Sequence, residues 1–304
     1  MTVALELGIL YAVMALGVYL TFRILDFPDL TVDGSFTTGG ATAAALIISG
    51  TDPLVATAAA VAAGLAAGVI TGLLHTKGGI NGLLAGILTQ IALYSVNLRI
   101  MGKANLPLLR EDTLMTPLRE NDLMGTATSI GIFAAVVVVV LALLVCFLHT
   151  DMGLALQATG DNGEMIRSFG VSTNRMKVLG LALSNGLVAG CGALITQYQG
   201  FADIGMGIGL IVAGLASVII GQAILGQRTI FVAALAAVLG SVAYRGFIQL
   251  ALYADLDPND MKLISAVLVV AALVLPRWSV LRRFRRVRGV RTSGTTREPA
   301  AVEG

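Results

Sequence analysis

The chain is an almost unbroken succession of apolar runs, and this pattern restricts it to folds that a lipid bilayer surrounds. Of its 304 residues, 56% are hydrophobic and only 12% are charged. A soluble domain carries roughly 25% charged residues, and its core could not bury so much apolar surface. A helix needs about 20 apolar residues to cross a hydrocarbon layer of about 30 Å. The sequence therefore predicts an all-α fold, a polytopic transmembrane helix bundle.

The apolar runs predict about nine membrane spans, within a range of roughly eight to ten. The second run is rich in glycine and polar residues, and the last run is short. The first run has no basic segment before it and no small-residue cleavage site after it, so we expect a retained span and not a signal peptide. The predicted spans are Val3–Phe22, Thr31–Ser49, Pro53–Leu74, Ile80–Asn97, Ser129–Leu148, Met176–Gln197, Gly205–Leu225, Ile230–Leu252 and Met261–Leu275.

Basic residues are concentrated at the C-terminus, where eight arginines lie in the last 28 residues. Because lysine and arginine are enriched in cytoplasmic segments, we expect this tail in the cytoplasm. Nine spans then place the N-terminus outside. Without the tail the two sides carry six basic residues each, so the orientation depends on the tail. We divide the chain into a transmembrane domain, residues 1–276, and a basic, partly disordered cytoplasmic tail, residues 277–304.

Two segments interrupt the apolar pattern, one in each half of the chain, at residues 27–40 and 201–209. Each places an acid before a cluster of glycines. Broken spans in the two halves are typical of a solute site near the middle of the bilayer. Alternatively, Asp33 and Asp203 are helix caps, and amide side chains within the spans, such as those of Gln90 and Asn185, tie helices together. The candidate pathway residues are Asp33, Gly34, Ser35, Thr37, Gln90, Asn185, Gly205 and Gly209.

Glycines also recur at helical spacing within the spans. Gly64, Gly68 and Gly72 form one ridge of small residues, and Gly186 and Gly190 form another. Such ridges let helix backbones approach each other closely in lipid. We expect them to be packing surfaces of the bundle.

One long polar insert, residues 149–177, separates two apolar runs on the side predicted to be cytoplasmic. Asp161 and Glu164 have the spacing of a capping box, and Gly170 can end the helix that follows. So short a helix is marginal alone in water, and it needs a surface for an apolar face of Met165, Ile166 and Phe169. A helix that lies on lipid is usually richer in bases. The composition therefore favours a protein partner over a lipid surface.

Several motifs of energy-converting chemistry are absent from the sequence. It contains no GxxxxGK[ST] phosphate loop, no HExxH and no nucleophile elbow. Its two histidines lack the spacing of metal ligands, and no set of intramembrane acids and bases forms a proton relay. We predict no catalytic residue, no metal and no cofactor on this chain. Active transport would need an energy source on another polypeptide.

Several blocks of the chain resemble a known family over nearly its whole length. In the insert they are GLALQA at 153–158, Asp161-Asn162, and Gly170-Val171 followed by Asn174-Arg175. Elsewhere they are LGVYLTFRILDFPDLTVDGSFTTGGA, QYQGFADIGMGIGLIVAGLASVIIG and DPNDMKLISAVLVVAALVLP. The chain is similar to bacterial ABC-transporter permeases of the branched-chain amino acid and ribose type. It looks most like their tryptophan and tyrosine importer subgroup.

This resemblance implies a set of partners in the bacterial plasma membrane. They are cytoplasmic ATPase subunits that hold the ATP, an extracytoplasmic solute-binding protein, a second permease copy in a homodimer, and membrane lipid, without nucleic acid. The insert would contain the coupling helix, which transmits ATP-driven closure to the bundle. The coupling residues would be Asp161, Asn162, Glu164, Met165, Ile166, Phe169, Gly170 and Val171.

These expectations form one functional hypothesis. The chain would be the permease subunit of an ABC importer for a small polar solute, an amino acid, with aromatic amino acids among the candidates. A secondary transporter driven by an ion gradient is the alternative, because paired broken spans occur there too. A membrane scaffold without transport is a further alternative, and it predicts a filled bundle with no solvent path beside Asp33.

Overall fold

A computed structural model describes residues 2–253 and 263–270, and this part of the chain is helical apart from two short strands. In chain order the elements are α1 (Thr2–Tyr19), a π-helix (Leu20–Ile24), α2 (Thr31–Ile48), α3 (Pro53–Thr76), α4 (Gly82–Met101), β1 (Asn105–Pro107), α5 (Thr116–Glu120), α6 (Ala127–Leu148), α7 (Asp151–Asp161), α8 (Gly163–Ser168), α9 (Thr173–Gln199), β2 (Phe201–Asp203), α10 (Leu210–Leu225) and α11 (Ile230–Tyr253). Residues 263–270 are also helical. The all-α prediction is confirmed.

Six of the described helices are long and apolar enough to cross a membrane. They are Thr2–Ile24, Pro53–Thr76, Gly82–Met101, Ala127–Leu148, Thr173–Gln199 and Ile230–Ala251. Helix α10 is apolar but shorter, at 16 residues. Helix α2 has 18 residues, but hydroxyl groups, glycines and Asp33 occupy its first half. The predicted ninth span coincides with the helical residues 263–270, and its remainder, like the tail 277–304, lies outside the described residues.

The bundle is built around α9, which packs against α1, α2 and α3. The predicted glycine ridge of α3 lies on α9. A Cβ atom placed at Gly64 would lie 2.4 Å from the Cβ of Ala189, and one at Gly68 would lie 2.3 Å from the carbonyl oxygen of Leu181. The ridge on α9 faces back: a Cβ at Gly186 would lie 2.9 Å from the side chain of Leu65. The prediction that these glycines are packing surfaces is confirmed.

Helix α2 approaches α9 even more closely. A Cβ atom at Gly39 would lie 1.9 Å from the carbonyl oxygen of Ala189, and one at Gly192 would lie 2.0 Å from that of Phe36. Each helix thus offers a glycine at the point where the other's backbone passes. Because of this contact α2 is almost entirely buried, and its polar side chains lie inside the bundle.

The segment between α4 and α6 lies at one end of the bundle. Strand β1 of that segment pairs antiparallel with β2, which directly follows α9. Buried Glu6, near the start of α1, accepts hydrogen bonds from the Gly125 backbone N–H at 2.8 Å, the Tyr198 hydroxyl at 2.7 Å and the Ser129 hydroxyl. The N-terminal end of α1 therefore lies at the same end of the molecule as β1, α5 and β2.

The opposite end carries α7 and α8. Helix α7 packs so closely beside the π-helix that a Cβ atom at Gly160 would lie 2.0 Å from the carbonyl oxygen of Ile24. Leu156 of the same helix is fully buried. Helix α8 follows and leads into α9. The Arg167 guanidinium of α8 donates to the hydroxyl of Thr173, the first residue of α9, at 2.9 Å. The end of α1, the start of α9 and the insert thus form one contiguous surface.

Candidate functional site

The two interrupted segments meet at the side chain of Asp33. One carboxylate oxygen accepts the backbone N–H of Gly209 and the other accepts that of Ile211, each at 2.8 Å. Helix α10 begins at Leu210, so these N–H groups belong to the helix end that has no internal acceptors and carries a partial positive charge. An acid in the first turn of α2 therefore caps α10, whose first residue lies 177 positions later in the sequence.

The capping alternative is thus right in its chemistry and wrong about the helix that Asp33 caps. The first turn of α2 has another acceptor, since the Thr31 N–H donates to Asp29 Oδ1 at 2.9 Å. Asp203, in contrast, does not cap α10. Its Oδ1 accepts the Gly205 N–H at 2.8 Å within the turn that precedes that helix.

The glycines of the second segment let its turn lie directly on α2. A Cβ atom at Gly207 would lie 2.0 Å from the backbone oxygen of Asp33 and 2.4 Å from the hydroxyl oxygen of Thr37. Gly209 has a φ angle of +85°, in the left-handed region that glycine favours. Gly207 and Gly209 therefore shape the turn, which also contains Gly205, and its side chains Ile204 and Ile208 face a neighbouring pocket.

This pocket, of about 410 Å³, lies between α2, α4 and the turn at residues 204–208. It brings together four of the predicted pathway residues, Asp33, Gly34, Thr37 and Gln90. Six further residues were not among the candidates. The full lining is Asp33, Gly34, Thr37, Gln90, Ile91, Tyr94, Ser95, Asn97, Ile204 and Ile208.

Helix α4 supplies half of this lining, and its sequence carried a signal for it. Gln90, Tyr94 and Asn97 are spaced by four and three residues, so they share one helix face. Asn97 is only 1% exposed. Its Nδ2 donates to the Gly34 carbonyl oxygen at 3.4 Å, whereas its Oδ1 has no hydrogen-bond partner.

Ser35 and Asn185, also predicted as pathway residues, lie on the other side of α2 and contact each other. The Ser35 hydroxyl donates to Asn185 Oδ1 at 2.6 Å. Asn185 Nδ2 donates to Asp29 Oδ2 at 2.7 Å and to the Leu181 carbonyl at 2.9 Å. All three side chains are buried. This geometry fits the alternative that Asn185 ties helices together, and it adds Asp29, an acid that the sequence analysis did not single out.

The polar insert forms two helices, with their junction at Asn162. Its Oδ1 accepts the Met165 N–H at 3.0 Å, so Asn162 caps α8. The prediction of Asp161 as the cap was wrong, because α7 extends through Asp161 and the backbone leaves helical geometry only at the next residue. Gly170 has a φ angle of +86°, and its predicted role as the left-handed residue after the helix is confirmed.

Helix α8 has no buried residue. Met165 is 49% exposed and Phe169 is 76% exposed, while Ile166 and Val171 are half-buried. Glu164, beside them, is exposed as well. In a chain whose α7 is firmly packed, α8 thus projects a small apolar surface that the described residues leave uncovered.

The described residues, 2–253 and 263–270, include no group of three or more histidine, cysteine, aspartate or glutamate side chains that could hold a metal ion.

A comparison with protein families matches residues 2–273 to the model of the branched-chain amino acid transport system permease component. The chain belongs to this family of multi-pass membrane proteins, and it is an ABC transporter permease. The resemblance stated from the sequence is confirmed. A permease is a transporter subunit and not an enzyme.

Individual relatives support the same assignment. A "Tyrosine transport system permease protein" of Clostridioides difficile (strain R20291) is 42% identical over 266 residues, 88% of each chain. An uncharacterized protein of Rickettsia prowazekii (strain Madrid E) is 35% identical over 278 residues, 89% of this chain and 95% of its own. An "Autoinducer 2 import system permease protein" of Salmonella choleraesuis (strain SC-B67) is 31% identical over 94 residues, 31% of this chain and 26% of its own. No solved structure matches the chain.

Proposed function

We propose that this permease is the membrane subunit of an ATP-driven importer for an amino acid, and that aromatic amino acids are its best candidates. The observation that carries the proposal is helix α8, a capped helix with Met165 and Phe169 exposed at one end of the bundle. A soluble ATPase subunit would receive this helix in a groove. The tyrosine system of the Clostridioides relative supports the substrate class.

We further propose nine crossings, with the N-terminus outside and the C-terminal tail in the cytoplasm. Six of the crossings would be the long apolar helices. The other three would be α2, α10 together with the turn before it, and the segment that contains residues 263–270. The contacts of Glu6 place the start of α1 at the end opposite α8. The eight arginines of the tail favour the cytoplasm for the α8 end.

In this arrangement α8 transmits ATP-driven closure through contacts that the structure contains. Movement of α8 would pass to α7 and to the start of α9, where Arg167 donates to Thr173. Helix α7 touches the backbone at Ile24, and α9 is bonded to α2 through Asn185 and Ser35. Helix α2 carries Asp33, so the same displacement would reach the pocket and the start of α10.

The proposed assembly contains two ATPase subunits, an extracytoplasmic solute-binding protein and a second copy of this permease. Apolar side chains exposed on α4 and α6, such as Leu84, Leu88, Val138 and Leu143, support a surface that faces lipid and the second copy. ATP binds to the ATPase partner in this proposal, and the permease carries no cofactor.

Transport by the reconstituted complex tests this function. Proteoliposomes are prepared with the permease in the membrane, the ATPase and ATP in the lumen, and the binding protein outside. They should accumulate L-[14C]tyrosine, and they should not do so with a non-hydrolysable ATP analogue. Permease alone under a proton or sodium gradient is the control for a secondary transporter. Uptake by the permease alone, driven by such a gradient, would replace the proposal with that alternative.

A further inference from the structure

We infer that the pocket between α2 and α4 binds the ammonium end of an amine-bearing solute, through the Asn97 side-chain oxygen and the Asp33 carboxylate. This inference rests on the proposed function and adds the ligand chemistry of its pocket. It depends on three features of the lining: an unpaired acceptor, the sign of the charge, and an exposed apolar wall.

The unpaired acceptor is Asn97 Oδ1. The residue is 1% exposed and lines the pocket, and this oxygen has no hydrogen-bond partner. Leaving a buried acceptor unpaired is unfavourable, and such atoms are uncommon in native proteins. A donor on a solute that enters the pocket and reaches this oxygen would complete the hydrogen bonding of Asn97.

The charge of the lining selects the kind of donor. Asp33 is an acid, and the residues that the structure describes around the pocket include no lysine or arginine. Each Asp33 oxygen already accepts one backbone N–H, but a carboxylate oxygen has a second acceptor position. An ammonium group brings three N–H donors and a positive charge. The pocket therefore suits a cationic amine and disfavours the carboxylate of the same solute.

An apolar wall provides a surface for the rest of the solute. Ile91, Tyr94 and Ile208 line the pocket, and all three are exposed in this chain. An aromatic ring of the solute can stack on Tyr94 and contact both isoleucines. The pocket volume of about 410 Å³ is within the usual range of small-molecule sites, roughly 300–1,000 Å³.

Binding to the purified full-length chain in lipid nanodiscs tests the inference independently of ATP. The probes for saturation-transfer NMR are L-tyrosine, tyramine, which keeps the amine and lacks the carboxylate, and 3-(4-hydroxyphenyl)propanoate, which keeps the carboxylate and lacks the amine. Tyrosine and tyramine should compete for one site. The propanoate should bind at least about tenfold more weakly, the effect expected for the loss of a charge-assisted hydrogen bond.

Variants assign this selectivity to Asn97. Asn97→Leu should weaken tyramine binding about tenfold and leave the propanoate unchanged. Asn97→Asp should bind tyramine at least as tightly as the unaltered chain, and it serves as the test if the leucine variant does not fold. Gln222→Leu is the matched control, because Gln222 also has an unpaired buried amide atom but does not line this pocket.

Three results would overturn the inference: no binding of any probe, propanoate binding as tight as that of tyramine, or unchanged tyramine binding by Asn97→Leu. Any of these could occur while ATP-driven uptake by the complex persists, in which case only the pocket chemistry is lost. Amine-selective binding without ATP-driven uptake would refute the proposed importer and leave the pocket chemistry standing.

Discussion

Asp33 shows how one side chain can hold two distant parts of a membrane protein together. Its two oxygens accept the first free N–H groups of α10, which would otherwise lie unpaired inside the bundle, where an unpaired backbone group is costly. The same residue lines the pocket. Because the proposed binding would use the same carboxylate as the α10 cap, a substitution there must be interpreted with a control for stability.

Asp33→Asn should destabilise the protein by about 1–2 kcal/mol, because an amide offers one acceptor where the carboxylate offers two and has no charge to match the helix dipole. Thermal unfolding of the detergent-purified variant measures this effect. Asp203→Asn is the matched control, since Asp203 accepts the Gly205 N–H within a turn. Equal midpoints for the two variants would show that the α10 cap does not stabilise the fold.

At the scale of the element, α8 is the clearest case of a helix that the chain alone does not complete. Its ends are fixed by Asn162 and Gly170, and yet its six residues bury nothing. Helices of this length are marginal in water. The caps and the packed α7 hold it in position, and a partner surface would supply the missing burial.

Phe169→Glu should abolish co-purification of the ATPase subunit while the permease still inserts in the membrane, because a charge replaces the most exposed apolar side chain of the insert in the expected groove. The pull-down is read on the full complex in detergent. Met152→Glu is the control: Met152 is 60% exposed on the neighbouring α7 and should retain the ATPase. If Phe169→Glu also retains it, α8 is not the docking element.

The sequence predicted elements better than it predicted junctions. Capping spacing and Gly170 identified the short helix of the insert, since those signals are local. The capping residue is Asn162 and not the predicted Asp161, because α7 packs on the π-helix and remains helical as far as Asp161. In the same way, the spacing of Gln90, Tyr94 and Asn97 places them on one face of α4. The local sequence does not indicate which neighbouring helix that face contacts.

At the scale of the whole molecule, backbone contact between α2 and α9 organises the bundle. Helix α2 is less apolar than the six candidate spans, and it lies inside because glycines on both helices allow the contact. The ridge of Gly64, Gly68 and Gly72 was predictable from its spacing. The pairing of Asp33 with α10, and of Asn185 with Ser35, was not, since contacts across more than a hundred residues are set by how the helices pack.

Gly192→Ala should prevent correct assembly of the bundle, because the added Cβ would lie 2.0 Å from the carbonyl oxygen of Phe36 and backbone cannot move aside cheaply. We expect a loss of about 3 kcal/mol of stability, at the upper end of the usual range for overpacking, seen as aggregation in fluorescence-detected size-exclusion chromatography. Gly131→Ala is the control, since its added Cβ would meet no neighbouring element within 4 Å among the described residues. A monodisperse Gly192→Ala protein would contradict the contact between α2 and α9.

The cap that α2 places on α10 also limits how the molecule can move. Sliding these helices apart would break both hydrogen bonds of Asp33. It would leave the carboxylate and the partly positive N-terminus of α10 without partners. Intermediate separations are therefore unfavourable, and a transporter built this way should switch abruptly between two arrangements. Because a carboxylate can hydrogen-bond only over a short distance, the change between outward and inward access would then be abrupt.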